Sequence, residues 1–216
     1  NKRERGEIIA DRLESGESCA LVTDAGTPAI SDPGEDIVRL CAERGIPVSS
    51  IPGCCAAVTA LTLSGLSTSR FAFEGFLSTA KSERDERLTE LQSEVRTMIF
   101  YEAPHKLKNT LADLYKYFGD RKISLCRELT KINEEVCRTT ISEAIKIYEE
   151  KDPRGEYVLV VGGADKKKTQ EEYPADPVEH VKALMDSGMK KMEAVKTAAK
   201  LRGEDKNDIY KLVLDL

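Results

Sequence analysis

Residues 22–34 read Val-Thr-Asp-Ala-Gly-Thr-Pro-Ala-Ile-Ser-Asp-Pro-Gly, with two acids, two glycines and two prolines set between an apolar run and an amphipathic stretch. The apolar run, Cys19-Ala20-Leu21-Val22-Thr23, lacks polar alternation, the pattern of a parallel strand covered on both faces. The stretch after the loop predicts a helix. Ser31 and Asp32 can cap it, Pro33 suits its first turn, and Glu35 and Asp36 put negative charge where the helix dipole favours it. Ile37, Val38, Leu40 and Cys41 supply its buried side, and Gly45 ends it. In an open α/β sheet, ligands sit outside the carboxyl ends of strands, and Asp24 falls at such an end. A lone acidic turn favours a plainer reading, in which Asp24 and Asp32 bond their own backbone and Gly and Pro set the dihedrals.

The next unit repeats the design. Ile46-Pro47-Val48-Ser49-Ser50-Ile51 predicts a second short strand, running into Pro52-Gly53-Cys54-Cys55-Ala56-Ala57-Val58-Thr59-Ala60-Leu61. This helix opens with Gly, two Cys and two Ala, so a ligand could approach its first amides closely. Close helix–sheet packing explains the small residues equally well. Two adjacent loops at one end of one sheet favour a cleft.

Length and composition bound the rest. The 216 residues suit one or two domains, charged residues make up 33%, and the formal net charge is −5. No apolar stretch approaches the roughly 20 residues needed to span a bilayer, so the chain reads as soluble. Asn1-Lys2-Arg3-Glu4-Arg5 leads into a helix with Ile8, Ile9 and Leu13 on one side, which is not a signal peptide. Of the six cysteines, five occupy apolar strand or helix positions or a packed turn, and they read as reduced and cytoplasmic. Cys54 and Cys55 are adjacent, and no Cys-x-x-Cys or nearby His completes a zinc site, so no metal is expected. With only His105 and His180, no Ser-His-Asp or Cys-His set is indicated.

Beyond a linker at residues 64–69, the chain predicts strand 71–76, helix 81–94, strand 96–101, helix 104–117, strands 122–129 and 136–141, helix 142–150 and strand 156–162. Residues 165–174 form a charged tether, and the end is helical. The expected division is 1–66 as part of an amino-terminal α/β domain, 67–164 as a second α/β domain, and 165–216 as tether plus a small helical module. Two strings stand out in the middle part, Tyr101-Glu102-Ala103-Pro104-His105-Lys106 and Arg127-Glu128-Leu129-Thr130-Lys131-Ile132-Asn133-Glu134-Glu135. By spacing alone the second reads as a solvated turn with local ion pairs.

The strings VTDAGTPAISDPG, IPGCCAAVTAL, FAFEGFL, IFYEAPHKL, CRELTKINEEV and GEYVLVVGG occur in the order found in the ribosomal RNA small subunit methyltransferase I family. The chain resembles that family from Asn1 to its end. The family belongs to the tetrapyrrole methylase superfamily, so the resemblance implies two α/β domains with S-adenosylmethionine in the cleft between them. It further implies methyl transfer to the ribose 2′-hydroxyl of a cytidine in small-subunit ribosomal RNA, and a homodimer. Carried over by motif, Asp24, Ala25, Gly26, Thr27, Ile30, Ser31, Cys55 and Ala56 would line the donor from one side. Tyr101, Glu156 and Tyr157 would meet it from the other. Arg127 and His105 fall on the substrate side, and Glu128, Lys131 and Glu102 are the candidates for chemistry. A ribose hydroxyl is a weak nucleophile, so a base, or a cation that stabilises developing alkoxide, would help.

The chain departs from the family in two places. The second loop reads Pro-Gly-Cys-Cys-Ala where the family has Pro-Gly-Pro-Ser-Ala, replacing a hydroxyl contact with a weaker thiol. Family sequences also begin with a strand and a Pro-Ile-Gly-Asn loop ahead of the position matching Asn1, so the expectation is of a chain that starts late. From Val181 to Leu216, eight basic side chains face six acidic ones. Lys190, Lys191, Lys196, Lys200 and Arg202 concentrate in one helix, with Met192, Val195, Ala199 and Leu201 on its packed side. Helix, turn at Gly203 and helix suit a module gripping RNA phosphates, or an ordinary solvated cap. Two alternatives stand beside the rRNA methyltransferase reading, a corrin or porphyrin methyltransferase and a non-catalytic RNA-binding or ribosome-assembly module.

Overall fold

Short apolar runs with little polar content belong in the middle of a sheet covered on both faces, and between Phe71 and Val161 they form one. The computed structural model describes residues 2–165 and 174–214. By internal contacts the chain falls into two compact units, Asn1–Lys166 and Lys167–Leu216.

The first unit opens with α1 (Lys2–Glu14), α2 (Glu35–Glu43) and α3 (Ala56–Ser64). Then come β1 (Phe71–Phe76), α4 (Lys81–Glu90), β2 (Thr97–Glu102), α5 (Leu107–Phe118), β3 (Lys122–Arg127), β4 (Glu135–Thr140), α6 (Ile141–Glu150) and β5 (Tyr157–Val161). Single 3₁₀ turns extend α4 at Leu91–Ser93 and precede α5 at Pro104–Lys106. The strand order is β1-β2-β5-β3-β4, with β1 and β2 parallel and the other pairs antiparallel. A mixed sheet with helices on both faces is the α/β class expected.

Alternation along the strands divides the core. Met98, Phe100, Ile123, Leu125, Tyr157, Leu159 and Val161 face a cluster completed by Leu88, Leu107, Leu111, Leu114, Ile141 and Tyr148 from α4, α5 and α6. Ile99, Cys126, Val158 and Val160 face the other way, onto Ala57, Ala60 and Leu61 of α3. At the end of α3 the Leu63 carbonyl accepts from Arg138 of β4, from Nε at 2.8 Å and Nη2 at 2.5 Å. The expected boundary at residue 66 stays a proposal, with α3 lying on the sheet that follows it.

The amino-terminal segments correct several expectations. Residues 19–23 and 46–51 form no strand, because a strand exists only through a ladder with a neighbour and the described residues supply none. α2 begins at Glu35 behind Gly34 with no side-chain cap, so Ser31 and Asp32 do not cap it. Its end follows expectation, with Gly45 N donating to Ala42 O and Ile46 N to Cys41 O, which satisfies the last carbonyls. Cys41 is buried but Val38 is exposed, and in α1 Ala10 is buried while Ile8 is exposed. Periodicity names a face, and the width of the neighbouring helix decides how much of it is covered. Arg44 joins the two helices through Asp11 at 2.7 Å, Glu14 at 3.3 Å and Glu7. All six cysteines are free thiols, though Cys19 and Cys54 are exposed rather than packed.

The second unit holds α7 (Pro177–Asp186), α8 (Lys191–Arg202) and α9 (Lys206–Leu212) around Val181, Ala194, Val195, Ala198, Ala199, Ile209 and Val213. Asp176 and Asp205 cap α7 and α9 by accepting from Val178 N and Asn207 N. The helix, turn at Gly203 and helix occur as predicted. Met192 is exposed and Ala194 and Ala198 take the packed side, because the seam follows the small residues that let α7 and α9 approach. The expected tether at 165–174 lies largely outside the described residues. Among these no helix is long and apolar enough to cross a membrane.

Candidate functional site

Sheet register decides which residues share an end. Phe76 pairs with Tyr101, Glu102 with Tyr157, Arg127 with Tyr157 and Glu135 with Arg127. Five strands thus bring Phe76, Tyr101, Glu102, Glu156, Tyr157, Arg127, Glu128 and Glu135 to a single end of the sheet.

Loops from the amino-terminal part reach the same end. Thr27 Oγ1 donates to Cys54 O at 3.1 Å, tying the 24–34 loop to the one before α3. Ala57 N, an amide in the first turn of α3 with no partner inside the helix, donates to the Tyr101 hydroxyl at 3.2 Å. Ser31 lies against β1, its Oγ 3.4 Å from where a side chain on Gly75 would begin. Ala29 and Ser31 take φ of 65° and 57°, left-handed values that cost strain outside glycine. Burial, then the neighbouring Cys55 thiol, pushes the Tyr101 phenol up, so it stays protonated at neutral pH. Ala25, Gly26, Ile30, Cys54 and Ala56 are small or apolar and, like Asp24, exposed.

Further along, Lys131 Nζ sits 3.1 Å from Glu128 Oε1 and 3.0 Å from Glu156 Oε2. Glu156 N donates to Glu128 Oε1 at 2.9 Å and Glu128 N to Glu156 O at 3.0 Å, locking the two strand ends together. Glu128 itself takes φ 50°, and its side chain passes Gly155, where a Cβ would come within 2.5 Å of Glu128 Cγ. Only glycine fits there. The Glu156 amide and then Lys131 hold the Glu128 carboxyl below its ordinary range, while hydrogen bonds to Glu156 and Glu128 push the Lys131 ammonium up. Residues 130–134 are exposed, so this is the solvated turn with local ion pairs that the spacing suggests, anchored at Glu128 by its hydrogen bonds to Glu156.

Other expected residues go elsewhere. Glu102 and Tyr157 point to the α5 and α6 face, opposite Tyr101, because neighbours along a strand alternate. Glu102 is buried and accepts from Ala103 N at 2.8 Å and Thr110 Oγ1 at 2.5 Å; Arg84 donates to Thr110 at 2.9 Å and pairs with Asp113 at 2.7 Å. Tyr157 is packed edge-on against Tyr148, and its hydroxyl accepts from Arg154 N at 3.4 Å. Arg127 pairs with Glu135 at 3.0 Å, and His105 is exposed on the 3₁₀ turn before α5. In the second unit Lys190 and Lys200 are exposed, whereas Lys191 donates to Leu214 O at 3.0 Å. Sequence reasoning missed Phe73, Phe76 and Gly155. A glycine inside the strand pattern FAFEGF is a bulge signal that could have found the first two.

Two loops and a small-residue helix start thus gather at one sheet end, and comparison with known proteins gives the class. The sequence model of the Tetrapyrrole (Corrin/Porphyrin) Methylases family matches residues 1–145. In fold the chain is similar to the methyltransferase CobJ, with TM-score 0.55 and 20% identity over 74% of this chain and 71% of that one. It is also similar to uroporphyrin-III C-methyl transferase from Thermus thermophilus complexed with S-adenyl homocysteine, with TM-score 0.50 and 15% identity over 74% and 72% of the two chains. Sequence relatives narrow the class. Proteins named ribosomal RNA small subunit methyltransferase I are 45% identical in Halalkalibacterium halodurans, over 98% of this chain and 74% of that protein, and 39% identical in Escherichia coli O157:H7, over 100% and 75%. The chain belongs to this ribosomal RNA small subunit methyltransferase I family, within the tetrapyrrole methylases.

Proposed function

We propose that the chain is an S-adenosylmethionine-dependent methyltransferase that modifies the ribose 2′-hydroxyl of a cytidine in small-subunit ribosomal RNA. The observation that carries this reading is the meeting of Thr27 with Cys54, Ala57 with Tyr101 and Ser31 with Gly75, pairs distant in sequence, at one sheet end. The residues there fit an adenosine-and-methionine donor. Ala25, Gly26 and Ala56 leave backbone groups open to close approach, Ile30 offers an apolar contact, and Asp24 and Thr27 bring polar side chains. When bound, the donor supplies a sulfonium methyl already activated for in-line displacement.

The protein's task is then to hold the attacking oxygen about 3 Å from the methyl carbon and in line with the leaving group. Lys131, pushed up and braced by two carboxylates, stays charged and serves as a cation for developing alkoxide, not as a base. Glu128 is a weak base because its carboxyl is held low. Glu102, committed to Thr110 and buried, keeps the β2 end in place. In the second unit Lys190 and Lys200, exposed, are suited to RNA phosphates, with Lys191 beside them. We further propose a cytoplasmic homodimer.

The test is methyl transfer from labelled donor to small ribosomal subunits and to deproteinised RNA. Label in a cytidine nucleotide whose 3′ linkage resists alkali, with assembled subunits preferred, is expected. Label on a base, or on a porphyrinoid acceptor alone, would sink the reading. Lys131→Ala should lower kcat with donor affinity unchanged; unaltered kcat would remove Lys131 from the chemistry.

A further inference from the structure

Phe73 and Phe76 are three residues apart and in a regular strand would point to opposite faces. In β1 they do not. Phe73 pairs with Ile99 and Gly75 with Phe100, so Glu74 is an extra residue in the ladder, and Gly75 takes φ 62°. This bulge turns both rings onto Tyr101, edge to face, with centroids 5.0 and 5.6 Å away and planes at 70° and 64°. The extra residue is pinned, since Glu74 accepts from Arg87 Nε at 2.9 Å and Nη2 at 2.7 Å. Tyr101 is pinned as well, by Ala57 N. Yet the rings so carefully held are not buried: Phe73 is 37% and Phe76 59% exposed. Bulges beside functional sites re-aim side chains, and a bulge serving only the core would have hidden these.

We propose that Phe76, backed by Phe73 and Tyr101, is a stacking platform for a nucleobase of the RNA strand that carries the methylated ribose. The proposal rests on the RNA methyltransferase reading of the same site and names where the substrate lies. In an edge-to-face pair at most one face of a ring is taken, and with Phe76 59% exposed a face stays open to a flat heterocycle. Position favours a base attached to the reacting ribose. Gly75 abuts Ser31 of the donor loop and Tyr101 abuts the start of α3, so the platform borders the region assigned to the methyl donor. Stacking on an aromatic ring needs no charge on the protein, so it adds to whatever cations lie nearby. It contributes on the order of tenfold or more in affinity per base. The donor's adenine is the other flat group at hand, and the experiment separates the two.

The test uses the full chain as wild type, Phe76→Tyr and Phe76→Leu, the last preserving apolar bulk without a ring. The probe is a short oligoribonucleotide carrying pyrrolocytosine, whose fluorescence reports stacking, alongside calorimetric titration of S-adenosylhomocysteine and a melting curve for each variant. Wild type and Phe76→Tyr should change the fluorescence. Phe76→Leu should bind the oligonucleotide about tenfold more weakly with unchanged melting and unchanged S-adenosylhomocysteine affinity. Equal oligonucleotide affinity in Phe76→Leu, no fluorescence change in wild type, or a loss confined to S-adenosylhomocysteine would overturn the platform. Methyl transfer by wild type to small subunits judges the underlying reading separately. Fluorescence change without transfer would remove that reading, and with it the assignment to a methylated strand, leaving Phe76 as an RNA-stacking surface alone.

Discussion

Two sets of apolar segments in this protein look alike as sequence and behave oppositely. Leu21-Val22 and Val48 to Ile51 lie in stretches as apolar as the strands, yet Val22 is 80% and Ile51 90% exposed, with no ladder. Ile99-Phe100 and Leu159-Val160 are fully buried, each strand paired on both sides. The difference is not in the residues. A strand is a relation between two chains of amides and carbonyls, and an apolar run becomes one only when a neighbour completes the hydrogen bonds and a helix covers the face.

The sharpest way to break this comparison is to remove equal bulk from each set. Phe100→Ala should lose roughly 3–5 kcal/mol, from transfer and cavity together, read as a shift in the urea midpoint. Ile51→Ala belongs at the other extreme.

Between them falls Tyr101→Phe, which keeps the ring and the contacts to Phe73 and Phe76 but leaves Ala57 N without its acceptor. About 1 kcal/mol should be lost, with S-adenosylhomocysteine binding weakened. An unchanged midpoint would mean that water replaces the hydroxyl without cost, and that α3 is held by the sheet alone.

A smaller effect sits at the entrance to β2. Hydrogen bonds from the Arg96 side chain and amide hold the Glu94 carboxyl down to about 2, from an ordinary 4.5. A carboxyl that is more acidic in the folded protein contributes stability that is whole above about pH 4.5 and is lost as pH falls toward 2. Glu94→Gln should flatten that part of the stability profile and leave the rest unchanged; an identical acid slope would assign the loss to other groups. Ile51→Ala completes the series with a change within about 0.5 kcal/mol, as for surface substitutions generally. A large loss there would show that the exposed segment makes contacts in solution that place it with the sheet.

From Phe71 to Val161 the order and bounds of the elements were legible to within a few residues. Buried strands and the amphipathic helices between them carry their pattern locally, as VLVV and LKNTLADLYKYF do. The candidate site was legible as motifs and not as a place. Thr27 and Cys54 are 27 residues apart and Ala57 and Tyr101 are 44 apart, and nothing in either string names its partner. Glu102 and Tyr157 illustrate the converse. Their motifs put them at the right end of the sheet, and strand alternation then turned them to the other face. Phe73 and Phe76 needed the bulge at Glu74 before they could share a side.

The sequence by itself determined the α/β class, the run of elements from Phe71 to Val161, the family and the residue types gathered for chemistry, because periodicity, turn residues and motif strings are properties of neighbours along the chain. Only the tertiary structure decided which apolar runs became strands, which face each side chain took and which loops meet. Those depend on hydrogen-bond ladders and packing between segments far apart in sequence, whose free energy exists only once both partners are in place.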